Sequence, residues 1–366
     1  MAMPERPPRS VGDIDTPALV VDLDVFERNL SAMAAYFRGR RAQLRPHSKS
    51  HKCPEIARRQ LAAGAIGITC AKLGEAEVMA AHGLGPLLIA NQIVGRLKVT
   101  RLMALAQRAD VTVAVDGADN VAELSAAAVA AGVRLPVLVE VDVGMGRCGV
   151  PPGSAALALC RAVARAPGLR LAGLMGFEGH IVDQPSLEQR ERGCLAALAL
   201  LEETRATVEA DGLPVEIVSG GGTGTYQIAG SRPPLTEVQA GSYVFMDASY
   251  KAIDGMDAFD CALTLLSTVV SRPHERRAVV DAGAKVLSTD QGLPVPLGVP
   301  GAQVGGLSEE HGRLDFAAPS PLRVGDRVSL LPSHCCTNVN LHDRLYAVRG
   351  ERVEAVWEVA ARGRAQ

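Results

Sequence analysis

Two histidines and two lysines crowd residues 44–60, LRPHSKSHKCPEIARRQ, and chemistry is easiest to place there. If residues 44–49 are extended, side chains alternate, so Arg45, His47 and Lys49 share one face while Leu44, Pro46 and Ser48 share the other. A lysine turned inward at the exit of a barrel strand loses solvation, titrates low and can form a Schiff base. The plainer alternative is a solvated surface lysine. Pro46 counts against a regular central strand and predicts a bulge or an early strand end. A helix should start near Cys53, because Pro54 suits the first helical position and Glu55 places a carboxylate in the first turn. Lys52 then falls in the turn.

Four further stretches carry groups that could take part. Residues 142–149, DVGMGRCG, present Arg147 among glycines, where a guanidinium can pair with a carboxylate or a phenolate oxygen. Residues 219–226, SGGGTGTY, offer consecutive backbone N–H groups at Gly221 and Gly222 and a hydroxyl at Thr223, the makings of an anion nest. The Lys-Ser/Thr ending of a P-loop and the GxGxxG spacing are both missing, so a phosphate cradle or a flexible loop are the two readings. Gly241 and Ser242, in TEVQAGSYVFMD, form a second set of phosphate donors. A lysine amine, an arginine and a phosphate loop together suggest pyridoxal phosphate. In LLPSHCCTNVNLHD, placed on a strand, His334 and Cys336 share one face with Cys335 turned away. One imidazole and one thiolate form a half-site for zinc with positions left open. His311, and His342 with Asp343, are better read as structural.

The elements that must position these residues follow from the alternation of short β-branched runs with Ala-rich stretches, the signature of βα repeats around a parallel sheet. Eight strands are expected, starting at Ala18, Leu44, Ile66, Leu87, Val111, Pro136, Leu171 and Val215. Eight repeats predict a closed α/β (β/α)8 TIM-like barrel rather than a doubly wound open sheet. After residue 248 the rhythm changes to strands separated by Pro and Gly turns. The expected division is therefore a barrel over 18–248 and a mostly β domain over 249–366 together with residues 1–17. At 366 residues, 48% hydrophobic and 21% charged, the chain can bury a large core. A net charge of -2 without a basic run argues against nucleic acid or an anionic membrane as partner and leaves small molecules as the default. The start has no apolar signal region and eight scattered cysteines lack a disulfide pattern, which predicts a cytoplasmic protein with reduced thiols.

With these pieces in place, the sequence resembles the fold-type III pyridoxal phosphate enzymes of the D-threonine aldolase and D-serine dehydratase family, in a branch similar to 3-hydroxy-D-aspartate aldolases. DTPALVVDLD, RPHSKSHKCPEIA, VEVDVGMGRCGV, SGGGTGTY, TEVQAGSYVFMD, LSEEHG and PSHCCTNVNLHD carry the resemblance almost end to end. It implies an alanine racemase-like barrel plus a β domain, a homodimer, a D-amino acid substrate, and a lysine of the RPHxK segment that holds the cofactor, here Lys49 and not Lys52. His47, Gly221, Gly222, Thr223, Gly241 and Ser242 would line or hold the cofactor, Gln239 would face its ring nitrogen, and Arg147 its ring oxygen or the substrate carboxylate. A divalent metal (Zn, Mn or Mg) would sit on His334 and Cys336. Two departures stand out. Aldolases usually carry aspartate where Cys336 stands, whereas dehydratases carry cysteine. Aldolases also tend to have Tyr-His-Gly after the seventh strand, where this chain has Phe177, Glu178, Gly179 and His180, so His180 or Glu178 must supply the base. The resemblance implies retro-aldol cleavage or dehydration of a D-β-hydroxy-α-amino acid; a racemase or a non-catalytic cofactor carrier are more distant alternatives.

Overall fold

The computed structural model describes residues 8–366. The chain forms two compact units, one comprising the chain through Ala32, Ser50–Cys53 and Ser242–Arg362, the other Met33–Lys49, Pro54–Gly241 and Gly363–Gln366. Beside the expected division of 18–248 against 249–366 with residues 1–17, these units interleave at Ala32, Ser50–Cys53 and Gly363–Gln366, and the first strand bears on the first of these. Strand β1 (Ala18–Asp22) is followed by a helix and reads locally as a βα repeat. Its hydrogen bonds go elsewhere.

The barrel unit holds β2 (Gln43–Leu44), β3 (Ile68–Cys70), β4 (Leu87–Gln92), β5 (Val111–Val115), β6 (Leu135–Glu140), β7 (Leu169–Gly176), β8 (Ile217–Gly220) and β9 (Glu237–Val238). All neighbours pair in parallel, in the order β2-β9-β8-β7-β6-β5-β4-β3. The chain beyond β2 closes the ring: Ile66 N donates to Leu44 O and Thr69 N to Pro46 O, each at 2.9 Å, and His47 bridges Thr69. Eight strands thus make the expected barrel, with β9 in the place that the sequence assigned to β1. β9 is two residues long and follows Pro233 and Pro234, too little pattern to count as a strand.

Parallel strands buried on both faces must be apolar throughout, and β6 shows it, with Val137, Leu138 and Val139 fully buried. Leu88, Ala114, Leu138, Ala172 and Met175, from four neighbouring strands, pack as one cluster. Burying each large aliphatic side chain of this kind contributes about 1.5–3 kcal/mol. The outer helices end where the sequence signals. Gly132 caps Ala118–Ala131 at φ 66, and Ser186 caps Leu187–Ala210 by accepting from Gln189 N at 3.4 Å.

The second unit is built on a nine-stranded sheet. Its members are β1, β10 (Leu263–His274), β11 (Arg277–Val280), β12 (Val295–Leu297), β13 (Ala302–Leu307), β14 (Gly312–Phe316), β15 (Arg327–Leu331), β16 (Arg344–Arg349) and β17 (Arg352–Glu358). β1 lies between β10, to which it is antiparallel, and β16, to which it is parallel, so Leu19 faces Leu265 on one side and Leu345 on the other. Among the described residues no helix is long and apolar enough to cross a membrane.

Candidate active site

Lys49 does not sit on a strand. The regular strand ends early, at Leu44 ahead of Pro46, with isolated pairing as far as His47, and Ser48–Ser50 turn into a 3-10 segment, so strand alternation does not decide where Lys49 points. The turn is held by His47, whose N–H donates to Ala240 O at 3.2 Å and whose Nδ1 accepts from Lys49 N at 3.4 Å. Lys52 follows at φ 50, and the helix Pro54–Ala62 starts at the proline, as its sequence dictates. Lys49 Nζ lies 5.7 Å from the centroid of the Phe177 ring, and Arg147 Cζ lies 5.5 Å from the same ring. Side chains from the turns after β2 and β6 therefore both come within cation–π range of one ring just past the end of β7.

Behind Phe177 lies Glu178, a candidate base. Its carboxylate is buried and engaged: Oε1 accepts from Thr225 Oγ1 at 2.5 Å and Oε2 from Gly221 N at 3.3 Å. Thr225 Oγ1 in turn accepts from Gly222 N at 3.1 Å. Burial pushes the Glu178 carboxyl up, against these hydrogen bonds, which favour the charged form. Glu178 thus anchors the turn after β8. Gly221 adopts φ +75, and a side chain on Gly224 would collide with the carbonyl of Val182, so both glycines are sterically required. Thr223 is buried in this turn, and Gln239 Nε2 donates to Ser219 Oγ at 2.8 Å. His180, the other candidate, is exposed and leans over Gly144, whose added Cβ would lie 3.1 Å from Nε2.

In the β unit, His334 and Cys336 are not on a strand either. His334 is the N-cap of the short helix Cys335–Val339, yet the two side chains hydrogen-bond each other. Cys335 is buried, its N–H bound by Asp247 Oδ2 at 2.9 Å, and Cys336 Sγ lies 3.4 Å from Ser50 Oγ and 3.6 Å from Ser242 Oγ. Sequence reasoning missed Asp290, whose Oδ2 is 2.7 Å from His334 Nδ1. Burial pulls His334 down, but Cys336 and then Asp290 overcome it and raise it to about 9.

Comparison with known proteins adds to this geometry. A profile described as alanine racemase, N-terminal domain matches residues 21–249, and one described as a putative serine dehydratase domain matches residues 262–348. The chain is 42% identical to a D-threonine aldolase of an Arthrobacter species over 98% of its length and 96% of the relative's. The chain belongs to the fold-type III pyridoxal phosphate enzymes. It is also 38% identical to a 3-hydroxy-D-aspartate aldolase of Paracoccus denitrificans, over 99% of this chain and 96% of that one. The crystal structure of D-threonine aldolase from Filomicrobium marinum superposes with a TM-score of 0.97 at 42% identity, covering 100% of both chains.

For a fold-type III enzyme, the donors present are of the right kinds. The half-buried Lys49 amine, the Arg147 guanidinium and the glycine turn whose conformation no side chain can share fit an aldehyde, a ring oxygen and a phosphate. The His334 ring is held through Nδ1 by Asp290, the kind of contact that orients metal-binding histidines, and with the Cys336 thiol beside it the pair is of a chemistry that a divalent metal takes. Another trio of ligand-type groups among the described residues is Asp116, Glu140 and Cys148. There Glu140 already accepts from Gln92 and Asp116 from Gly149 N, so both carboxylates of the trio are engaged in hydrogen bonds. Nothing in residues 285–295 marks Asp290; only its hydrogen bond, 44 residues distant in sequence, does.

Proposed function

We propose that this chain is a pyridoxal phosphate- and divalent-metal-dependent lyase that cleaves the Cα–Cβ bond of D-β-hydroxy-α-amino acids. Its substrates are of the D-threonine or 3-hydroxy-D-aspartate type, and its products glycine and an aldehyde or oxo acid. The observation that carries this reading is the convergence of Lys49 and Arg147 on Phe177 at the end of β7. The full-length similarity to aldolases acting on those two substrates supports it.

When bound, the cofactor supplies an electron sink for the pair left on Cα, and the metal a Lewis acid for the β-hydroxyl. The rest falls to the chain. Lys49 would hold the cofactor through its amine. Gly221, Gly222, Thr223, Gly241 and Ser242 bind phosphate, His47 supports the lysine turn, and Gln239 faces the ring nitrogen. Arg147 pairs with the ring oxygen or the substrate carboxylate. His334 and Cys336 hold the cation. Because Glu178 is occupied by Thr225 and Gly221, His180 is the residue that takes the β-hydroxyl proton. The protein works as a cytoplasmic homodimer.

A second reading, dehydration, is favoured by one observation: the cation pair includes Cys336. There Lys49 removes the α-proton and the hydroxyl leaves. Incubation with D-threonine, 3-hydroxy-D-aspartate and D-serine, with and without chelator, separates the two. Glycine plus an aldehyde or oxo acid, lost with chelator, is the expected result. Keto acid and ammonia alone would transfer the assignment to the dehydratase.

A further inference from the structure

Glu140 is the last residue of β6, and the Arg147 loop departs from it. Its side chain is 5% exposed, whereas that of Arg147 is 50% exposed. Gln92 Nε2, at the end of β4, donates to Glu140 Oε2 at 2.5 Å, and Oε1 faces the Arg147 guanidinium at 3.9 Å. The backbone between them is fixed. Val150 N donates to Glu140 O and Asp142 N to Val150 O, each at 2.9 Å. Asp116 Oδ2 accepts from Gly149 N, and Asp142 Oδ1 accepts from Gly144 N and Gly146 N, all at 3.0 Å. The loop is thus rigid while its arginine side chain reaches out from it. A buried carboxylate oriented from behind by an amide then gives the guanidinium a preferred direction, because charge interactions strengthen where water is excluded. Burial raises the Glu140 carboxyl; Gln92 and Arg147 oppose that rise, and Asp116 and Asp142 add to it.

We propose that Glu140 is a positioning residue for the cofactor: its carboxylate, held by Gln92, aims Arg147 at the oxygen of the pyridine ring. Glu140 acts through Arg147. This inference rests on the reading of Arg147 as a cofactor ligand.

A double-mutant cycle tests it. The wild type, Glu140→Gln, Arg147→Ala and the double variant are stripped with hydroxylamine and retitrated with pyridoxal 5′-phosphate. Affinity and the pH dependence of the visible absorption band are followed, with thermal melting as a folding control. The charged and titratable groups around the Glu140–Arg147 pair are Asp116, Asp142 and Cys148, with Lys49 sharing the Phe177 ring with Arg147. Loss of one charge-assisted contact predicts about tenfold weaker binding for each single variant. The double variant should bind no more weakly than Arg147→Ala, and Glu140→Gln should shift the absorption transition in the same direction as Arg147→Ala. Glu140→Asp, which keeps the charge, should recover part of the affinity. Should Glu140→Gln not fold, Gln92→Met removes the support from behind and should shift affinity and transition the same way. Wild-type binding by a folded Glu140→Gln or Gln92→Met, or a double variant as weak as the product of the singles, overturns the proposal while leaving Arg147 in place. Wild-type binding by Arg147→Ala overturns both.

Discussion

Asp290 Oδ2 lies 2.7 Å from His334 Nδ1. That contact fixes the ring orientation, and in the proposed metal site it would leave Nε2 for the cation, as carboxylate partners of metal-binding histidines do. Asp290 is itself held, accepting from Ser288 Oγ at 2.8 Å and Thr337 Oγ1 at 2.9 Å. Replacing it with asparagine should therefore lower metal affinity by about 10–100-fold while leaving the fold intact. Competition with a chromophoric chelator measures this, and unaltered affinity would remove Asp290 from the site.

In the proposed metal site, Cys336 makes the donor pair softer than an aspartate would. Thiolate favours zinc, whereas carboxylate suits magnesium and manganese. The wild type should retain zinc preferentially when dialysed against equal amounts of zinc, manganese and magnesium. In Cys336→Asp the preference should move toward manganese and magnesium. Metal analysis after dialysis decides it; identical metal content in both proteins would contradict the ligand role of Cys336.

Glu178 ties the glycine turn to the loop after β7, and its burial has a pH signature. Desolvation sets its carboxyl above the ordinary value of 4.5, with the Thr225 and Gly221 hydrogen bonds opposing. A carboxyl whose folded value is raised contributes stability that is fully present below the unfolded value and is lost as pH rises through the folded one. Glu178→Gln keeps an acceptor for Thr225 and has no proton to lose. The melting temperature of the variant relative to wild type should climb as pH increases from about 4.5 toward neutrality. Melting curves across that range provide the test, and a constant difference would show that the carboxyl does not titrate there.

Much of this architecture was readable locally. Pro54 and Glu55 mark the helix that follows Lys49, Pro46 marks the early end of β2, and Gly220, Gly221 and Gly224 mark a turn with no room or backbone freedom for a side chain at those positions. What failed was information that only long-range pairing holds. A run such as ALVVD before a helix suits a barrel repeat and a central antiparallel strand equally, because both demand burial on two faces. Register with Leu265 and Leu345 decides between them. The same holds at His334, where a helix cap rather than strand alternation brings Cys336 alongside, and at Asp290, which no neighbouring residue announces.

Arg45 and Glu237 show how the barrel is closed away from its chemistry. Arg45 follows β2, Glu237 opens β9, and these two strands pair. Arg45 Nε donates to Glu237 Oε2 at 2.9 Å, with the side chains 11% and 3% exposed. Arg45 Nη1 also donates to Pro86 O at 3.3 Å, just before β4, while a side chain on Gly67 would run into the guanidinium. The pair therefore plugs the end where strands begin, opposite the end where a barrel of this type places its reaction. Glu237 Oε1 is buried without a hydrogen-bond partner, so the pair does not recover all of its desolvation cost. Removing one partner leaves a buried charge uncompensated. Arg45→Met or Glu237→Leu alone should lower unfolding stability by about 3–5 kcal/mol, whereas the double variant should lie near wild type. Denaturant titration of the cofactor-loaded proteins reads both quantities. Additive losses in the double variant would mean that packing around Arg45, not the charge pair, closes the ring; with coupling as expected, the double variant should keep wild-type turnover, because neither residue reaches the mouth.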